Sequence, residues 1–253
     1  MKIGVLLIGS LFWEKKHHRC KWRRDRLNLD DKQYVKVPIR YGRQSSTRGK
    51  SYTMVFSIWL SHEQHGKAIV VSCANDVTTG EDLVKEAECL WTAETPEGEN
   101  PNNRISAKDG WGCVALLENP ERPVPDDLRS SWTKRVSRES GYGKKIIRAY
   151  GEEVVVNRRG FLKIPWPKIG GDSDLDFDAL LATVTRPTLN NGCYPSAKNV
   201  ATAAYRSCKG REYFCKNREH KIKTFQDTKI EDWLAKFDNK RARLQGFHTN
   251  TGE

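Results

Sequence analysis

The first cluster of apolar positions, Ile3 to Ile8, is a run rich in β-branched residues and predicts a buried strand. Gly9-Ser10 ends it in a turn. Lys15 to Leu29 is heavily charged with Trp22 and Leu29 interspersed, and reads as helical in part. Tyr34 to Ile39 alternates loosely as a strand, and Pro38 marks an edge or an end. Ser45 to Lys50 is small and polar, as a turn is. Tyr52, Met54, Phe56 and Ile58 then alternate with Thr53, Val55, Ser57 and Trp59, the period of a strand over Tyr52 to Leu60. Lys67 to Cys73 is a further short strand.

Helical spacing begins at Thr79. Thr79 and Asp82 form a capping box with Asp in place of Glu. Leu83, Ala87 and Leu90 follow at steps of four and three. Glu94 falls on the same stripe, and Pro96 stops the helix. Glu97 to Asn103 is a polar loop. Gly112 to Leu117 is a strand, and Asp127 to Val136 a helix carrying Leu128, Trp132 and Val136. Val154 to Val156, Phe161 to Ile164 and Ala179 to Thr185 read as strands, with an acidic loop from Gly170 to Asp178. From Tyr194 the pattern turns helical. Ser196 caps a helix bearing Val200, Ala201, Ala204 and Tyr205, and Asp227 caps one bearing Ile230, Trp233 and Leu234. The last fifteen or so residues are polar and are expected to fray.

Strands dominate the first two-thirds and alternate irregularly with helices. The expected architecture is α+β, a small curled β-sheet or barrel with surrounding helices. Residues 1–240 are read as one domain, strand-rich to about 186 and helical over 194–235, followed by a polar tail, 241–253.

The chain has 253 residues, enough to bury about 70% of its unfolded surface without a disulfide or metal staple. Eight each of Trp, Tyr and Phe exclude a disordered chain. The seven cysteines are odd in number and none are paired as C-x-x-C. His17 and His18 are adjacent rather than spaced as zinc ligands. The reading is reduced thiols in the cytoplasm, with no metal and no cofactor. The opening apolar run is too short for a signal peptide or for the ~20 residues of a membrane span, so no membrane partner is expected.

Charge changes this picture. The net charge is +12, and Glu14 to Lys50 holds 13 Lys/Arg against four acids, 13 − 4 = +9. Such a field attracts a small anionic substrate, a nucleic acid or an acidic partner; a solvated basic face explains it equally well.

Four constellations can carry chemistry. Gly9-Ser10-Leu11 follows a buried strand, where a glycine allows close backbone approach and successive N–H groups can hold a carboxylate or phosphate. Arg40-Tyr41-Gly42-Arg43 and Arg48 offer planar donor forks between two strands, for an anion or simply for water. Glu94 is a carboxylate on an apolar stripe. Desolvation there favours a protonatable group, as general acid–base work requires, unless the side chain turns to solvent at the helix end. Cys113, in Trp111-Gly112-Cys113, has no nearby His and reads as structural. Trp13, Trp22, Tyr34 and Tyr41 interleave with the basic segment as in single-strand binders, but no RNP, KH or helix-turn-helix pattern accompanies them.

The order of these features resembles that of the ChaC-like γ-glutamylcyclotransferases. Ile8-Gly9-Ser10-Leu11-Phe12-Trp13 is similar to that family's Tyr-Gly-Ser-Leu-(Ile/Met)-Trp strand end. Ser45-Ser46-Thr47-Arg48-Gly49 resembles its Ser-Thr-x-x-Arg-Gly stretch, and Gly66-Lys67-Ala68-Ile69-Val70 its Gly-x-Ala-Tyr strand. Glu94 stands where the catalytic glutamate ends a helix, and Glu212-Tyr213-Phe214 with Asp227 resembles the later Glu-Tyr-Leu helix and its Asp. The likeness covers about half the chain. Ile8 replaces the family's Tyr, Ala93 the Arg before the glutamate, and Pro120 to Gly171 has no counterpart. The resemblance implies a small β-barrel with helices around it. It also implies that Gly9, Ser10 and Leu11 hold a γ-glutamyl group through their amides. Glu94 would be the base that frees the α-amine to cyclise, releasing 5-oxoproline without metal or cofactor. Two other readings are a nucleic-acid or nucleotide-binding protein using residues 15–50, and a protein-interaction module with a vestigial pocket.

Overall fold

The computed structural model of the chain describes residues 1–95, 103–142, 155–170 and 173–249. β1 (Ile3–Leu7) lies inside a seven-stranded sheet with β2 (Leu27–Val37), β5 (Gly66–Cys73), β6 (Gly112–Glu118), β7 (Lys168–Ile169), β8 (Ser173–Asp174) and β9 (Ala179–Thr185). The order is β6-β9-β1-β5-β2-β7-β8. β1 runs parallel to β9 and antiparallel to β5. All five of its residues are buried, so an uninterrupted apolar run appears where a half-exposed strand would alternate. A Cβ on Gly4 would stand 2.9 Å from Leu180 Cδ2, so the glycine lets side chains close over the strand. β3 (Ile39–Gln44) and β4 (Tyr52–Phe56) form a separate hairpin.

The helices are α1 (His17–Arg26), α2 (Gly80–Glu94), α3 (Asp126–Ser137), α4 (Ala197–Tyr205), α5 (Cys208–Glu219) and α6 (Asp227–Thr249). The capping box is formed at α2. Thr79 Oγ1 accepts from Asp82 N at 3.1 Å, and Asp82 Oδ2 accepts from Thr79 N at 2.8 Å. Leu83, Ala87, Leu90 and Trp91 bury the inner face of α2, which packs against α1, α3, β6 and β9. Truncating Leu83 or Leu90 to Ala would cost about 2–5 kcal/mol. α4 packs on α5, α6 and β4.

The α+β class and the surrounding helices agree with expectation; the closed barrel does not. Among the described residues the sheet ends at β6 on one side and at the two-residue β8 on the other, and the hairpin pairs only with itself. Pro38 divides the expected strand: β2 stops at Val37 and β3 starts at Ile39. Residues 40–44 are therefore strand rather than turn. The run from Tyr52 stops at Phe56: Ser57 N still donates to the Pro38 carbonyl at 2.9 Å, but Pro38 has no N–H to continue the ladder. Val156 and Phe161 make single bridges, to Leu162 and Leu116, and no longer strand. Pro96, residues 97–102 and Val154 lie outside the described residues. The acidic loop contains β8, and α6 continues to Thr249 through the segment expected to fray. Ser196 caps α4 as expected, accepting from Asn199 N. Asp227 is the first residue of α6, and its Oδ1 accepts from Thr224 N at 2.9 Å. No helix among the described residues is long and apolar enough to cross a membrane.

Candidate functional site

β1 and β9 run parallel to the same end of the sheet, and the chain leaves β1 there in a tight turn. Phe12 N and Trp13 N donate back to Gly9 O and Ser10 O, both at 3.2 Å, and Glu14 N donates to Ser10 O at 2.8 Å. That leaves the N–H groups of Gly9, Ser10 and Leu11 without an acceptor among the described residues. A Cβ on Gly9 would lie 2.7 Å from Tyr213 Oη, so only glycine allows α5 to close over the turn.

The basic segment fixes this turn from behind. Arg23 is buried; its Nη1 donates to Leu11 O at 2.6 Å and its Nη2 to Glu14 O at 2.8 Å. Arg19, 6% exposed, donates from Nε to Ala93 O at 3.0 Å and from Nη1 to Ser10 Oγ at 2.9 Å. It also pairs with Glu14, and its Nη2 lies 3.7 Å from Glu94 Oε2. Arg26 pairs with the buried Glu86 on α2. Three of the thirteen cations of that segment, Arg19, Arg23 and Arg26, are thus internal scaffolding for one turn and one helix.

In front of the turn is a pocket of ≈ 60 Å³. That is several times the roughly 10–15 Å³ that one water needs by the same measure. Its walls are Gly9, Ser10 and Leu11, Arg43 and Arg48, Thr53 and Met54, Thr183 and Thr185, Tyr213, and Glu94 at the end of α2. The Glu94 side chain is 17% exposed and faces the pocket rather than solvent. Arg48 Nη2 donates to Ser10 Oγ at 3.0 Å and to Glu14 Oε1 at 3.1 Å. Ser10 Oγ therefore accepts from two guanidinium groups, and its own proton is left to donate elsewhere. Tyr213 Oη accepts from Met54 N at 3.2 Å, and Arg48 stacks over the Tyr213 ring.

Arg43 differs from the other cations. Its guanidinium stacks 4.5 Å from the Trp111 ring centroid and has no hydrogen bond or ion pair among the described residues. Burial pulls its pKa below the ordinary arginine value, with Arg48 adding to that and Glu94 opposing it. Arg19 and Arg48 balance Glu14 and Glu94, so Arg43 leaves the site with 3 − 2 = +1. One unpaired, half-desolvated guanidinium beside three open N–H groups is a seat for one carboxylate.

Sequence reasoning named Gly9, Ser10, Leu11, Arg43, Arg48 and Glu94, and the fold brings all six to one pocket. Arg40 and Tyr41 are not part of it. Arg40 stacks on Tyr194 at 4.1 Å, and Tyr41 is 1% exposed against Phe214. The cause is a register shift between Tyr41 and Arg43, where the extra residue Gly42 re-aims the strand. A Cβ on Gly42 would stand 2.5 Å from Val55 Cγ2. Cys113 is fully buried in the core, where burial pushes its thiol pKa up. Arg19, Glu14, Thr183 and Thr185 went unrecognised. For Glu14 the one available signal was an acid opening a basic run. Among the described residues no cluster of three or more His, Cys, Asp or Glu is placed to hold a metal ion.

No protein-family model matches the chain, and no curated protein or solved structure matches it.

Proposed function

We propose that the protein is a γ-glutamylcyclotransferase-like enzyme. The observation that carries this reading is that the Glu94 carboxylate and the open amides of Gly9, Ser10 and Leu11 line the same small pocket with an unpaired arginine. The γ-glutamyl group enters with its carbonyl toward those amides and the Ser10 hydroxyl, and with its α-carboxylate on Arg43. Glu94 accepts a proton from the substrate α-ammonium. The freed amine attacks the γ-carbonyl and closes a five-membered lactam. The γ-amide C–N bond breaks, the cyclising nitrogen gives up a second proton through Glu94, and both protons pass to the departing amine, which leaves as an ammonium. The products are 5-oxoproline and that amine. Nothing else is consumed, and catalysis comes from proximity, one base and preorganised donors.

Arg19 takes the place of an arginine within α2. It reaches Glu94 from α1 and holds the last turn by the Ala93 carbonyl. The nucleic-acid reading is less well supported, because Arg43 and Arg48 turn into the small pocket while Arg40 stacks on Tyr194, so the three form no continuous rail. The test is incubation with a panel of γ-glutamyl amides and mass spectrometry for 5-oxoproline. Product that depends on Glu94 supports the reading, and no product across the panel overturns it.

A further inference from the structure

Beyond Arg48, on the outer side of the pocket, lies a second and larger cleft of ≈ 440 Å³. One wall is the turn after β1, with Lys15 and Lys16. The other is a face of α5, where Lys209 and Lys216 stand two turns apart on one side of the helix. Its floor includes the Trp13 ring, held by a bond from Nε1 to Asn217 Oδ1 at 2.7 Å. Lys15, Lys16, Lys209, Lys216 and Arg48 face two carboxylates, Glu14 and Glu212, so the cleft carries 5 − 2 = +3. Glu14 is already held between Arg19 and Arg48. Lys216 pairs with Glu219 at 2.7 Å, while Lys15, Lys16 and Lys209 have no ion pair among the described residues.

Converging ammonium groups in a concavity repel one another and concentrate a positive field, which a multiply charged anion relieves. The cleft shares Arg48 with the pocket, so one ligand can extend from one to the other past Arg48. We infer that the cleft binds a group carrying two or more negative charges, and that this group is the amine half of the substrate. The fitting chemistry is a row of carboxylates, as in an oligo-γ-glutamyl chain, or a phosphate monoester. The anion site stands on the cleft alone; its assignment to the leaving amine rests on the cyclotransferase reading.

The experiment has two arms. In the first, kcat/KM is measured for γ-glutamyl-ethylamide, γ-glutamyl-alanine, γ-glutamyl-glutamate, tri-γ-glutamate and γ-glutamyl-phosphoethanolamine. This is done with the full chain and with the triple variant Lys16→Ala, Lys209→Ala, Lys216→Ala. The expected result is a rise of about tenfold or more from the uncharged to the multiply charged amines. The triple variant should flatten the series through KM, with kcat unchanged. The last two substrates separate carboxylate from phosphate. In the second arm, pyrophosphate and propane-1,2,3-tricarboxylate are titrated calorimetrically into both proteins. If no γ-glutamyl compound turns over but the wild type binds these anions and the variant does not, the cleft stands and the cyclotransferase reading fails. A flat charge series in the wild type overturns the assignment to the leaving amine. Equal anion binding by wild type and variant, or none by either, overturns the cleft.

Discussion

Arg19 Nε lies 3.0 Å from the carbonyl oxygen of Ala93, so a residue on α1 grips the last turn of α2, the turn that presents Glu94. The same guanidinium holds Ser10 at 2.9 Å. The two halves of the pocket are thereby set by one buried side chain. Arg19→Met, which keeps length but removes every donor, strands Glu14 and the helix-end carbonyls. It is expected to cost about 3–5 kcal/mol by urea unfolding, as for a broken buried ion pair. Arg19→Lys should cost clearly less in stability, yet still lower kcat because the planar fork is lost.

Gly9→Ala sets a methyl 2.7 Å from Tyr213 Oη. The expected loss is about 1–3 kcal/mol. Tyr213→Phe alone removes the acceptor of the Met54 N–H and is expected to cost about 1 kcal/mol. In the double variant the clash disappears with the hydroxyl, so the two losses should be less than additive. Strict additivity in chemical denaturation would contradict the close approach.

Arg43 has no partner to lose. Its stacking on Trp111 is worth about 0.5–1 kcal/mol, so Arg43→Ala should reduce stability by no more than that. A charge-assisted bond to a ligand carboxylate contributes roughly 1.5–3 kcal/mol, so KM should rise about tenfold or more. A large drop in stability with unchanged KM would make Arg43 a structural residue.

Strong acid should weaken the N-terminal end of α2. The backbone N–H groups of Thr79 and Thr78, together with the Thr78 hydroxyl, hold the Asp82 carboxyl at about 2, below its ordinary value of 3.8. A depressed folded-state value means that the stabilisation is complete above the unfolded value of 3.8 and is lost as pH falls through about 2. Thermal midpoints of wild type and Asp82→Asn should differ at pH 5 and converge near pH 2. A difference that stays constant through that window would contradict the capping role.

Much of this was legible in the chain. β1, α2 with its cap, β6, α3 and β9 follow from local periodicity, since each buries one continuous run or stripe. Six pocket residues followed from a turn after a buried strand, from arginines in the basic stretch, and from a carboxylate on an apolar stripe. What was hidden depends on contacts distant in sequence. A register shift at Gly42 decides that Arg43 enters the pocket while Arg40 and Tyr41 do not, and no local pattern announces it. Nor does composition say which arginines of a basic segment fold inward. Arg19 and Arg23 do so because unpaired carbonyls and Glu14 await them, 5 to 75 residues away.

The central claim is that Glu94 moves the proton that allows a γ-glutamyl group to cyclise in this pocket. The most direct measurement is the rate of 5-oxoproline release by wild type and by Glu94→Gln on one γ-glutamyl amide, with substrate affinity measured separately by equilibrium dialysis. The account predicts a loss of at least about 10²-fold in rate, as for removal of a general base, with affinity and melting temperature nearly unchanged. Equal rates in the two proteins, or loss of binding and turnover together, would contradict it.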